Sequence, residues 1–253
     1  NGERGRERER ERMQALERKI MWSQSGMEGP RDEMVEVGAV SGTAADWKQE
    51  HSMGTTILAV RFDGGVVLGA DSRTSTGSYV ANRVSNKLTS VYEDRIYCCR
   101  SGSAADTQAI SDIVRHALAQ HALEMGEDPE VSAAASLFRK MCYEYKDQLM
   151  AGIICAGYDK YHGGRVYSIP LGGGLLEQPF AMSGSGSAFI FGYVDSHYRD
   201  DMTREECKEF VQKSVALAIH RDGSSGGVVR TVVIDEDGLE RDMIKGNELP
   251  FGF

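Results

Sequence analysis

At 253 residues, with 41% hydrophobic and 26% charged side chains, the chain is long enough to bury a sizeable core. Its formal net charge of -9 divides into 9 basic and 11 acidic residues before Thr55 and 20 and 27 from Thr55 onward. No basic face is available to track a phosphate backbone, which argues against nucleic acid as a partner, and no run reaches the roughly 18 apolar residues that a membrane-spanning helix needs. The five cysteines, Cys98, Cys99, Cys142, Cys155 and Cys207, are odd in number, form no CxxC pair and sit mostly in apolar runs. They read as reduced core residues of an intracellular protein.

Residues 1–54 are polar and aperiodic and hold both tryptophans, Trp22 and Trp47. They contain no apolar stretch of the signal-peptide kind. The alternation from Arg6 to Arg12 is a solvated charge run, disordered or a frayed helix, and Met13 or Met21 is a candidate for a truer start. From Thr55 the pattern is that of a globular domain. Thr56–Phe62 and Val66–Ala70 are β-rich runs separated by Asp63-Gly64-Gly65, a hairpin signal. Arg95–Cys99, Ile153–Ala156, Arg165–Ile169 and Val228–Ile234 read as further strands.

Three amphipathic helices interrupt the strands. Ile110, Ile113, Val114, Ala117, Leu118 and His121 recur at helical spacing, as do Val131, Ala134, Ala135, Phe138, Met141, Cys142 and Tyr145. Cys207, Phe210, Val211, Ser214, Leu217 and Ala218 form the third stripe. Two consecutive helices between groups of strands do not alternate as βαβα would. The expectation is therefore mainly antiparallel sheets with helices layered outside them, in one α+β domain from Thr55 onward.

Several chemical motifs fail on context. Gly223-Ser224-Ser225-Gly226-Gly227 matches G-x-S-x-G, but that nucleophile elbow needs a strand before its serine and a helix after it. Here a helix precedes and a strand follows, and no histidine lies beyond His220 to complete a triad. The six histidines lack metal-ligand spacing; His116 and His121 share a helix but are five residues apart, so no metal or other cofactor is expected. Gly172-Gly173-Gly174 reads as a turn rather than a phosphate cradle.

Gly54-Thr55-Thr56 is different. Cutting the bond before Thr55 would expose a hydroxyl and an α-amine on one residue, a complete nucleophile and base. After it come Gly69-Ala70-Asp71-Ser72-Arg73, Asn82-Arg83-Val84-Ser85-Asn86-Lys87 and Cys99-Arg100-Ser101-Gly102-Ser103-Ala104-Ala105-Asp106. Further on lie Ser183-Gly184-Ser185-Gly186-Ser187 and Arg221-Asp222-Gly223-Ser224-Ser225-Gly226-Gly227. Taken singly, Asp71 reads as a turn residue, Lys87 as a surface charge and Gly102 as a turn into a helix. In this order the set closely resembles the proteasome β-type subunits over essentially all of residues 55–253. Through Gly77-Ser78-Tyr79, Cys98-Cys99-Arg100 and Asp222–Gly227 it looks closest to the caspase-like, post-acidic kind. Ser75 and Ser85 stand where that family commonly has threonine.

The resemblance implies a four-layer αββα sandwich of the N-terminal nucleophile (Ntn) hydrolase type, with 1–54 a disordered prosegment removed between Gly54 and Thr55. It implies Thr55 as nucleophile, Asp71 and Lys87 as its acidic and basic partners, and Gly102 as the oxyanion-hole glycine. Ser185, Asp222 and Ser225 are implied around the threonine amine. Arg100, Thr74, Ser75, Thr89 and Ala104 are implied to bind substrate. Implied partners are the other α and β subunits in stacked seven-membered rings of a 28-subunit core, and unfolded polypeptides, in cytoplasm and nucleus.

The residue types suit that chemistry. An α-amine, with a pKa of about 7.7–8.0, is close to what a base at neutral pH requires. A Lys87 cation would lower it further, and Asp71 would keep Lys87 charged and oriented. The guanidinium of Arg100 would favour a carboxylate before the cut, unless it is a surface arginine in a salt bridge. Two competing readings are a catalytically silent subunit of the same ring and a stand-alone bacterial-type hydrolase of the same fold.

Overall fold

The computed structural model describes residues 54–76 and 79–250. Residues 1–53, with the charge run and both tryptophans, lie outside the described residues, as do Gly77 and Ser78. Strands β1 (Ile57–Phe62) and β2 (Gly65–Ala70) form the expected hairpin, with Asp63-Gly64 as a two-residue loop in register Phe62↔Gly65. Gly64 takes φ +105°, a conformation that L side chains rarely adopt. Next come β3 (Thr74–Thr76), β4 (Tyr79–Asn82), β5 (Leu88–Tyr92) and β6 (Ile96–Gly102). Helices α1 (Ala104–Met125) and α2 (Val131–Glu144) follow, then β7 (Ala151–Asp159), β8 (Gly163–Ile169), β9 (Leu176–Glu177) and β10 (Phe180–Ser183). The chain continues through α3 (Ser187–His197), α4 (Arg204–Arg221), β11 (Val229–Asp235) and β12 (Gly238–Ile244).

Two five-stranded antiparallel sheets result, ordered β10-β1-β2-β11-β12 and β5-β6-β7-β8-β9. Strand alternation divides the first sheet between two cores. Ile57, Ala59, Leu68, Val232 and Ile234 point at the second sheet, where they meet Leu88, Tyr97, Cys99, Ile154 and Val166. Leu58, Val60, Phe62, Val67 and Val233 point the other way, at Ile190 and Val194 of α3 and Cys207, Phe210 and Val211 of α4. Helices α1 and α2 cover the outer face of the second sheet. The order is helices, sheet, sheet, helices: an α+β sandwich of the Ntn-hydrolase type, as expected.

The apolar stripe of α2 buries Val131, Ala134, Ala135, Phe138, Met141 and Cys142 as its spacing predicts. Two expectations need correction. His121 is exposed, together with Leu123 and Met125, because the last turn of α1 runs past the residues that its buried stripe, ending at Leu118, presents to the sheet. Tyr145 lies beyond the end of α2 and is half-buried. Helix α3 was not predicted: Ser187–Tyr193 is apolar on all sides, so no stripe marks it, and Phe189 and Phe191 stay exposed. Strand β12 was missed because Glu240-Arg241-Asp242 breaks any alternation; an edge strand tolerates such charges.

Candidate active site

The N-terminal end of β1 is where the predicted residues meet. Gly54, just before Thr55, lies so close to Ser224 that a β-carbon there would sit 2.0 Å from the Ser224 carbonyl oxygen. Thr55, 4% exposed, donates its hydroxyl to the Gly54 carbonyl oxygen at 2.8 Å. The ammonium of Lys87 donates to three acceptors: Asp71 Oδ1 at 2.6 Å, the Gly54 carbonyl at 3.1 Å and Thr55 Oγ1 at 3.3 Å. Lys87 is thus a buried, fully engaged amine rather than a surface charge.

Asp71, fully buried just past β2, accepts at Oδ1 from Thr56 N as well as from Lys87. Its Oδ2 accepts from the backbone N–H groups of Arg73 and Gly226, at 3.1 Å each. Four donors therefore fix the carboxylate, and the carboxylate orients Lys87 as expected. It does not dominate the lysine's titration. Burial pulls the Lys87 ammonium below its ordinary range, and the attraction of Asp71 only partly opposes this.

A second carboxylate organises the other side. Asp222, which follows α4, accepts at Oδ2 from the hydroxyls of Ser185 and Ser225, both at 2.7 Å. Burial raises its pKa, but these hydroxyls and the N–H groups of Ser224 and Ser225 outweigh that and hold it below the usual range. Ser185 Oγ in turn accepts from Thr55 N at 3.2 Å. Ser185 is exposed, so the cluster meets solvent there. Residues 130 or more positions apart along the chain are joined because β1 pairs with β10, which leads into the Ser185 loop.

Gly102 ends β6 with φ +95°, and a β-carbon there would approach the Met150 carbonyl oxygen to 2.3 Å. It joins the Thr55 cluster through no hydrogen bond among the described residues. The predicted substrate residues are divided. Arg100 and Thr89 line a cavity of about 390 Å³ with Asn86, Ser90, Arg230 and Arg241; Thr55 and Lys87 do not line it. The Arg100 guanidinium donates to the Asn86 carbonyl at 3.0 Å, while its Nε is buried without a partner among the described residues. Thr74, in β3, donates to Ser85 Oγ, Ser75 is buried, and Ala104 is exposed in the first turn of α1; none of the three lines the cavity.

Sequence reading gave no role to Thr56, Arg73 or Gly186. Arg73 bonds Asp71 through its backbone and the Gly223 carbonyl through Nη1. Gly186 leaves room for the Thr56 hydroxyl, to which a β-carbon would come within 1.9 Å. Only adjacency to the quoted motifs could have pointed to them. No group of three or more His, Cys, Asp or Glu side chains is placed to hold a metal among the described residues.

A family described as "Proteasome subunit" matches residues 51–234. The chain is 62% identical over 198 residues to a proteasome subunit beta type-6 of Dictyostelium discoideum, covering 78% of this chain and 92% of that protein. It is 56% identical over 194 residues to a proteasome subunit beta type-1 of Saccharomyces cerevisiae, covering 77% and 89%. A proteasome subunit beta type-9 of Rattus norvegicus is 48% identical over 217 residues, covering 86% and 98%. With its sandwich fold and this breadth of similarity, the chain belongs to the proteasome subunit family, as a subunit of the β type.

Proposed function

We propose that this chain is a threonine endopeptidase subunit of the proteasome core, working after loss of residues 1–54 and cutting preferentially after acidic residues in unfolded polypeptides. The observation that carries it is the arrangement at the Gly54–Thr55 bond. A hydroxyl lies 2.8 Å from the carbonyl oxygen of the preceding residue, and a buried lysine reaches both atoms. In the first reaction the Thr55 oxygen attacks the Gly54 carbonyl carbon while its proton passes to the neutral form of Lys87, which burial favours. The C–N bond then breaks, the nitrogen takes a proton, and water hydrolyses the resulting ester to release the prosegment.

The freed α-amine serves as base for later turnovers, taking the hydroxyl proton as Thr55 attacks a substrate carbonyl. The backbone N–H of Gly102 meets the oxyanion; one such donor is typically worth about 2.7–4 kcal/mol. Arg100 supplies the cation for a carboxylate before the cut, and its place in the lining of the cavity supports that role. The subunit works within rings of other α and β subunits, in cytoplasm and nucleus.

N-terminal sequencing of the mature chain tests the reading and should give Thr-Thr-Ile-Leu. In assembled particles Thr55→Ser should retain appreciable activity, since hydroxyl and amine both remain. Thr55→Ala should neither process its own prosegment nor hydrolyse substrate at this site. Undiminished post-acidic cleavage by a Thr55→Ala subunit, or a prosegment retained in active particles, would overturn the proposal.

A further inference from the structure

Thr56 is fully buried, yet all three of its polar groups are engaged at the site. Its N–H donates to Asp71 Oδ1 at 2.9 Å, its carbonyl accepts from Asp71 N at 3.1 Å, and its hydroxyl lies 2.8 Å from Ser225 Oγ. The direction of that last bond follows from counting protons. A serine hydroxyl has one hydrogen, and that of Ser225 goes to Asp222 Oδ2. Thr56 must then be the donor to Ser225. By the same count Ser185 gives its hydrogen to Asp222 Oδ2 and accepts from Thr55 N.

Two parallel relays therefore converge on one carboxylate oxygen: Thr55 N to Ser185 to Asp222, and Thr56 Oγ1 to Ser225 to Asp222. The loop between them closes directly on the threonine pair. Gly184, at φ +88°, has no room for a β-carbon against the Thr55 carbonyl, and Gly186 has none against the Thr56 hydroxyl. We infer that Thr56 is a positioning residue: its hydroxyl fixes the Ser225 hydroxyl, and through Asp222 it sets the alignment of Ser185 with the Thr55 nitrogen. The second threonine is thus needed for its hydrogen bond rather than for its bulk. This rests on the reading of Thr55 as nucleophile and extends it to the residue that aims the surrounding network.

The test uses assembled particles carrying Thr56→Val, which keeps the shape and removes the donor, beside Thr56→Ser, which keeps the donor. Thr56→Val should lower kcat about ten-fold with KM little changed, because a buried acceptor on Ser225 loses its partner and the network loses its alignment. The acid limb of the kcat/KM profile should also move to lower pH. A Ser185 hydroxyl held less firmly by Asp222 accepts less well from the Thr55 amine and stabilises its protonated form less. Thr56→Ser should recover most of the rate, and adding Thr56→Val to Ser225→Ala should cost little more than Ser225→Ala alone.

A Thr56→Val particle with the parent kcat and an unmoved acid limb would overturn the inference. So would Thr56→Ser impaired as severely as Thr56→Val, since bulk would then be the requirement. If Thr56→Val does not assemble, Thr56→Ala takes its place; failure of both beside an intact Thr56→Ser would also overturn it, because a positioning role predicts slow particles, not missing ones. A Thr55→Ala particle in the same series separates the two questions. Activity surviving there removes Thr55 as nucleophile whatever Thr56 does.

Discussion

Arg100 and Asp222 are opposite cases of a charged residue near the site. Arg100 spends one guanidinium N–H on the Asn86 carbonyl and lines the cavity, so it has terminal N–H donors left for an anion that enters there. Replacing it with alanine should leave Thr55 reactive and weaken cleavage after acidic residues about ten- to a hundred-fold. That is the loss of a charge-assisted bond worth roughly 1.5–3 kcal/mol. Fluorogenic peptides with acidic and apolar residues before the cut would measure it, and equal losses on both would remove Arg100 from specificity. Asp222 is saturated instead, accepting two hydroxyls at one oxygen, and its pKa is held low. The sign follows: its stabilising contribution is present above the ordinary carboxyl value of about 3.9 and is lost as pH falls through its lower folded value. The denaturation midpoint of Asp222→Asn should accordingly vary less with pH across the acid range than that of the parent.

At the scale of elements, the site depends on how closely α4 lies on β2. Gly69 is the contact point: a β-carbon there would come within 2.4 Å of Val211 Cγ1 and 3.2 Å of Val215 Cγ2. Strand β2 cannot move aside, because Gly69 is paired on one side with Leu58 and on the other with Thr231. Valine is stiff at χ1 and cannot swing clear. Gly69→Ala should therefore destabilise the fold by about 1–3 kcal/mol, read as a lowered thermal midpoint, and should reduce assembly. The same strand leads straight to Asp71, so packing and chemistry share a backbone segment. The three helices with a clean stripe were legible because burial on one face leaves a 3.6-residue period. Helix α3 was not, because its apolar residues encircle it and part of that surface stays open.

Across the whole molecule, all five cysteines are buried and unpaired. Burial pushes Cys98 and Cys142 up to about 11 and Cys207 to about 12, and Cys99 and Cys155 well above the ordinary thiol range. A thiol kept protonated and away from solvent is a poor nucleophile. A thiol reagent at neutral pH should consequently label none of the five in the native protein and all five in denaturant. Rapid labelling of the native protein would expose a solvent path through the sandwich.

The sequence by itself determined the class of this fold and, through the resemblance its motifs carry, the candidates for its site. Periods of two and 3.6 are direct imprints of burial on one face, so β1, β2, α1, α2 and α4 could be read from neighbours a few positions apart. Thr55, Asp71, Lys87, Ser185, Asp222 and Ser225 become candidates through the family resemblance that their motifs carry, and the tertiary structure joins all six by hydrogen bonds. What only the folded chain decided was directional and electrostatic. That Lys87 is buried enough for desolvation to outweigh Asp71 depends on the packing around it, which no spacing encodes. That Thr56 turns its hydroxyl to Ser225, 169 positions away, depends on β1 and the loop after α4 meeting across the sheet. Local pattern carries one-dimensional periodicity; hydrogen-bond partners and burial are properties of contacts that exist only once distant segments are packed together.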